Sequence, residues 1–160
     1  MALGMTTATG KSPEVLFYHL ERQTLEQILP ALVERTLERG WRAVVQAGSA
    51  ECLAALDAHL WTYKDASFIA HGTAKDGLPQ DHPVFLTLEE ENPSGAAVRF
   101  LVDGARLASF AGYLRVVLIF DGQDQAALET ARGQWKTAKA QGCAATYWQQ
   151  TDAGRWEKRA

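Results

Sequence analysis

The sequence predicts an α/β fold: a single three-layer domain, a mostly parallel sheet with helices on both faces. Three observations carry this reading. Short apolar runs of strand length alternate with longer stretches of helical period. Their order, strand-helix-strand-helix and later strand-helix-strand, suits parallel pairing through right-handed crossovers. The 160 residues and 17.6 kDa fit one domain that buries about two thirds of its unfolded surface. The layout is Rossmann- or P-loop-like without a functional phosphate loop, for reasons given below.

Residues 1–13 are small and polar, end in Pro13, and read as a mobile tail before a domain spanning 14–150. Val15-Leu16-Phe17-Tyr18 is an apolar, aromatic-rich run expected for a buried strand. Thr24 and Gln27 have capping-box spacing and open a helix whose apolar face is Leu25, Ile28, Leu29, Leu32, Val33 and Leu37. Pro30 should kink that helix, because it lacks an amide donor, and Gly40 ends it. Trp41 to Ala47 is a second strand. Ser49 is a candidate N-cap for a helix through Leu60 with Cys52, Leu53 and Leu56 inward.

A loop-rich stretch runs from Trp61 to Pro83. Val84 to Leu88 and Ala97 to Val102 read as strands joined by an acidic turn. Leu107 to Tyr113 is a short helix or an extended link, and Leu114 to Phe120 is the most apolar strand. A helix from about Gln123 to Gln141 follows, with Gly142 as its stop. Cys143 to Trp148 is the last strand, and residues 151–160 form a polar, basic C-terminal tail.

Several chemistries are excluded. Gly10-Lys11-Ser12 resembles the end of a phosphate loop, but Met5 stands where glycine is needed and the segment precedes the first strand. The turn His19-Leu20-Glu21-Arg22 offers no glycine for close approach to phosphate. His71, Asp76, Asp81 and His82 can be drawn together as metal ligands, yet a loop of this composition collects them by chance. No metal, cofactor or catalytic residue is expected. Cys52 and Cys143 lie 91 positions apart without a CxxC and read as small buried hydrophobes. The start lacks the features of a signal peptide, and Leu107 to Phe120 is too short and too interrupted to span a bilayer, so the chain is expected to be cytoplasmic.

Charge is unevenly distributed. Net charge is −3, but residues 132–160 carry six Lys/Arg against two acids, while residues 1–131 carry ten against seventeen. Arg132, Trp135, Lys136 and Lys139 fall at i, i+3, i+4 and i+7, which puts three cations and an indole on one helix face. The plain reading is dipole complementation with a half-buried Trp135; the sharper one is a docking site for an acidic peptide with an apolar anchor. Trp61, Tyr63 and Phe68 are either a satellite core or a protein-docking cluster.

These residues together resemble the chi subunit family of bacterial DNA polymerase III. The resemblance rests on Val15-Leu16-Phe17-Tyr18, Leu56-Asp57-Ala58-His59-Leu60-Trp61 and Ser67-Phe68-Ile69-Ala70-His71-Gly72. It continues through Arg115 to Gly122, Arg132 to Gly142 and Thr146-Tyr147-Trp148, covering Val15 to about Gln149. It implies a non-catalytic DNA replication subunit of the polymerase III holoenzyme, itself a nucleotidyltransferase. Such a subunit links the clamp loader, through psi, to single-stranded DNA-binding protein. The resemblance assigns the acidic C-terminal tail of that protein to Arg132, Trp135, Lys136 and Lys139, and psi to Trp61 and Phe68. DNA is then contacted only indirectly. The competing reading is a small nucleotide- or phosphate-dependent α/β enzyme; a third is direct single-strand binding with Trp135, Trp148 and Trp156 stacking bases.

Overall fold

The computed structural model describes residues 13–62, 71–72, 83–92 and 95–160. In chain order the elements are β1 Glu14–Leu20, α1 Leu25–Glu38, β2 Ala43–Gln46, α2 Ala50–Thr62 and β3 His71–Gly72. There follow β4 Val84–Thr87, β5 Val98–Leu101, β6 Arg115–Asp121, α3 Gln125–Ala140, β7 Ala144–Gln150 and β8 Trp156–Lys158. One eight-stranded sheet holds them in the order β3-β4-β2-β5-β6-β1-β7-β8. Every pairing is parallel except β7 with β8. Buried on both faces, β2, β4 and β6 read as largely apolar runs, as parallel strands do, and β5 is apolar except for Arg99.

The two faces have different covers. On one, Ile28, Leu29 and Val33 of α1 and Leu56 and Leu60 of α2 pack on Ala43, Val45, Phe100, Val117 and Ile119. On the other, Ala131 and Ala138 of α3 share the cover with a strap, residues 102–113, that sets Leu107, Phe110 and Tyr113 on Val44, Leu101, Val116 and Leu118. The strap contains no helix, which settles the helix-or-link alternative for Leu107 to Tyr113 as a link.

Lacking regular structure, the strap satisfies its backbone with side-chain amides. Leu107 N–H donates to Gln134 Oε1 (2.8 Å), and Phe110 N–H to Gln141 Oε1 (2.9 Å). Gln141 Nε2 donates to Ala108 O, and Gln46 Nε2 to Arg106 O. Arg99, wholly buried on β5, completes this polar layer. Its guanidinium donates to Gln46 Oε1 (3.0 Å), Tyr113 Oη (3.1 Å) and the carbonyls of Glu89 (2.6 Å) and Glu91 (3.2 Å).

α1 runs through Pro30 as one helix. The proline leaves the Glu26 carbonyl without its helical donor, and His59 Nε2 of α2 lies 2.7 Å from it. Gly40 closes α1 at φ +81°. Residues 151–160 correct the expectation of a polar tail. The chain turns, with Gly154 at φ +82°, and returns as β8, because Trp156 finds an apolar partner in Tyr18 at 5.1 Å between ring centroids.

Candidate functional site

α3 begins at Asp124, whose carboxylate accepts from the N–H groups of Ala126 (3.0 Å) and Ala127 (3.3 Å). Its inward residues, Ala131, Gln134 and Ala138, are mostly small and bring the helix close to the sheet. That leaves Arg132, Lys136 and Lys139 exposed and Trp135 half-buried at the rim. The four residues singled out by spacing therefore do share one ledge. Lys139 Nζ sits 5.3 Å from the Trp135 ring centroid, within cation–π reach.

β7 supplies what helical spacing could not show. Trp135 packs at 5.2 Å from Phe17 and 6.2 Å from Tyr147. The Tyr147 hydroxyl is 2.6 Å from His19 Nδ1, and His19 Nε2 is 2.6 Å from Glu21 Oε1. Glu21 accepts from Nε2–H, which in the neutral ring leaves Nδ1 to accept from the Tyr147 hydroxyl. Burial raises the Tyr147 pKa; the charge of nearby Arg132 acts against that, and Glu21 adds to it. Arg132, Tyr147 and Trp135 thus form a cationic, aromatic ledge backed by a fixed histidine. Gly122 keeps room for that ring, since a Cβ there would fall on His19 Nε2.

The usual ligand position of such folds is the crevice beyond the carboxyl ends of the parallel strands. Here it is a cleft of about 740 Å³. Glu21, Glu26, Asp103, Asp121 and Asp124 line it, with Arg22 as the one Lys or Arg among the described residues. Where a phosphate loop would follow β1, the N–H groups of Glu21, Arg22 and Gln23 converge on Gln150 Oε1 at 3.2, 2.8 and 3.0 Å. Gln150 is almost fully buried, so the chain's own amide occupies the anion-binding nest. Cys52 borders the cleft, and burial, with the charges of Asp103 and Glu26, pushes its thiol pKa up to about 11. It is unsuited to nucleophilic work.

Among the described residues no group of three metal-ligating side chains exists. His71 lies in β3, while Asp76, Asp81 and His82 fall outside the described residues. Trp61 is carried by the last turn of α2, on the opposite face of the sheet from α3, and Phe68 also falls outside them. Among the described residues no helix is long and apolar enough to cross a membrane.

Comparison with known proteins agrees with the sequence resemblance. A curated relative, the probable DNA polymerase III subunit chi of Rickettsia prowazekii (strain Madrid E), is 26% identical over 102 residues. That match covers 62% of this chain and 62% of the relative, so it spans about three fifths of the relative's length. The sequence profile described as DNA polymerase III chi subunit, HolC, matches residues 13–146. With most of its length matched, the chain belongs to the DNA polymerase III chi subunit family.

Proposed function

We propose that this protein is a non-catalytic accessory subunit of DNA replication that holds the acidic C-terminal tail of single-stranded DNA-binding protein on α3. One observation carries the reading: three exposed cations surround a half-buried indole beside Tyr147. An acidic peptide ending in an aromatic residue and a carboxylate offers matching groups. Its carboxylates pair with Arg132, Lys136 and Lys139, and its aromatic end packs against Trp135 and Tyr147. Small interfaces of this kind bind at about micromolar Kd. The acid-lined crevice, with its nest filled by Gln150, is poorly suited to a nucleotide, which disfavours the enzyme reading. Trp61 and Phe68 are the proposed contacts with a psi subunit of the clamp loader, leaving α3 open to the tail.

The test is a fluorescence-anisotropy titration of a labelled tail peptide at two salt concentrations. Micromolar binding is expected to weaken with salt and to disappear when the terminal aromatic is deleted. Arg132→Ala and Lys136→Ala should each cost at least about 1 kcal/mol, a fivefold loss of affinity. Normal binding by both variants would overturn the site. In a parallel pull-down, Trp61→Ala should lose psi and keep the tail.

A further inference from the structure

On the opposite face of the sheet a groove runs beside α1. Two cavities of about 230 and 190 Å³ lie between α1 and the sheet, and Tyr18, Leu32 and Arg35 line both. Side by side, they reach from Gln23 and Trp156 in one to Arg39, Trp41 and Arg115 in the other. The groove follows α1, about 21 Å long at 1.5 Å per residue.

Aromatic rings and guanidinium groups interleave along it. Trp156 meets Tyr18 edge-on, and Arg39 and Arg115 lie 5.4 and 5.7 Å from the Trp41 ring centroid. Strand register sets Trp148 beside Tyr18 on this same face. Among the described residues no carboxylate lines either cavity. Glu14, 2.9 Å from Arg115, is the one acid paired with a groove cation among the described residues, and Arg35 and Arg39 form no ion pair among them. Arg35 and Arg115 line the same cavity as Tyr18; burial raises the Tyr18 pKa, the two guanidinium charges act against the rise, and Glu14 adds to it.

A row of rings with interspersed cations suits a polyanion that carries planar groups, which is single-stranded nucleic acid. An acidic peptide would use the arginines but brings no row of planar groups for the rings. Membership of a DNA polymerase subunit family favours DNA over RNA. The chain's net charge of −3 does not oppose this, because five carboxylates are gathered in the carboxyl-end crevice.

We propose that the α1 groove binds single-stranded DNA directly, over about six nucleotides at the stacked 3.4 Å spacing. Bases pack on Tyr18 and Trp156, and phosphates pair with Arg35 and Arg39. The test is anisotropy of fluorescein-labelled dT12 with the full chain at low and moderate salt. Binding is expected at about 10–100 μM at low salt, with a log–log salt slope of about −1.4 for two phosphate contacts. The exposed double variant Arg35→Glu/Arg39→Glu should weaken it at least about tenfold, and Trp156→Ala about tenfold, with melting curves confirming that each folds. Lys136→Ala should leave it unchanged, which separates this site from the α3 ledge.

Four results would overturn the proposal. They are no binding up to about 500 μM, unchanged affinity in the double variant, an equal loss in Lys136→Ala, or displacement by an Asp-rich peptide as effective as by unlabelled dT12. Equal or tighter binding of rU12 would overturn the choice of DNA.

Discussion

The two faces of the sheet solve the same problem by different means. Beneath α1 and α2 the cover is oil on oil, with Leu29, Val33, Leu56 and Leu60 against branched and aromatic strand residues. Beneath α3 a single helix shares the cover with an irregular strap, and a polar layer of Arg99, Gln46, Gln134 and Gln141 joins them. Apolar packing tolerates small slips, whereas hydrogen bonds fix position to tenths of an ångström. The face that carries the proposed tail site is therefore also the face whose helix is tied down by directional bonds.

The largest expected effect breaks the polar layer. Arg99→Ala leaves the Tyr113 hydroxyl oxygen, Gln46 Oε1 and the Glu89 and Glu91 carbonyls without this donor, and should cost about 3–5 kcal/mol in urea denaturation. Leu29→Ala cuts the oily face and should cost about 2–5 kcal/mol by cavity formation. In the folded state it should leave tail affinity unchanged, which distinguishes the two faces. Gln134→Ala orphans the buried Leu107 N–H for about 1–3 kcal/mol. Because it releases α3 from the strap, it should also weaken tail binding measurably by anisotropy. Gln150→Ala unfills the nest of three amides and should cost about 1–3 kcal/mol; its signature is a thermal stabilisation by sulfate that the parent protein lacks.

The smallest effect is set by pH. The Cys52 thiol is raised from 9.0 to about 11. Its protonated form is thus favoured by folding, so this contribution is complete below pH 9 and is lost as pH rises from 9 to about 11. Alkylation by iodoacetamide at pH 8 should be slow in the folded protein and fast in urea.

Most of the framework was readable from local pattern. The strands are apolar runs, and α1 and α3 show a 3.6-residue period; α3's cationic face came from the i, i+3, i+4, i+7 positions of Arg132, Trp135, Lys136 and Lys139, which do lie together. Whatever depends on strand register was not readable. Tyr147 meets His19 across 128 residues because β1 and β7 are neighbours, and Gln150 reaches the turn after β1 for the same reason. Nothing in the run Ala97 to Val102 marks Arg99 as interior; the packed strap makes it so. β8 was hidden by its composition, since one tryptophan among charges reads as a tail.

The proline inside α1 carries a consequence for engineering. Helix propensity alone would credit Pro30→Ala with about 3 kcal/mol. The restored amide, however, would compete with His59 for the Glu26 carbonyl, loosening a clasp between two helices in order to mend one. A histidine bridging two helices serves here as a permanent rivet, and the break in one helix is the hole that receives it.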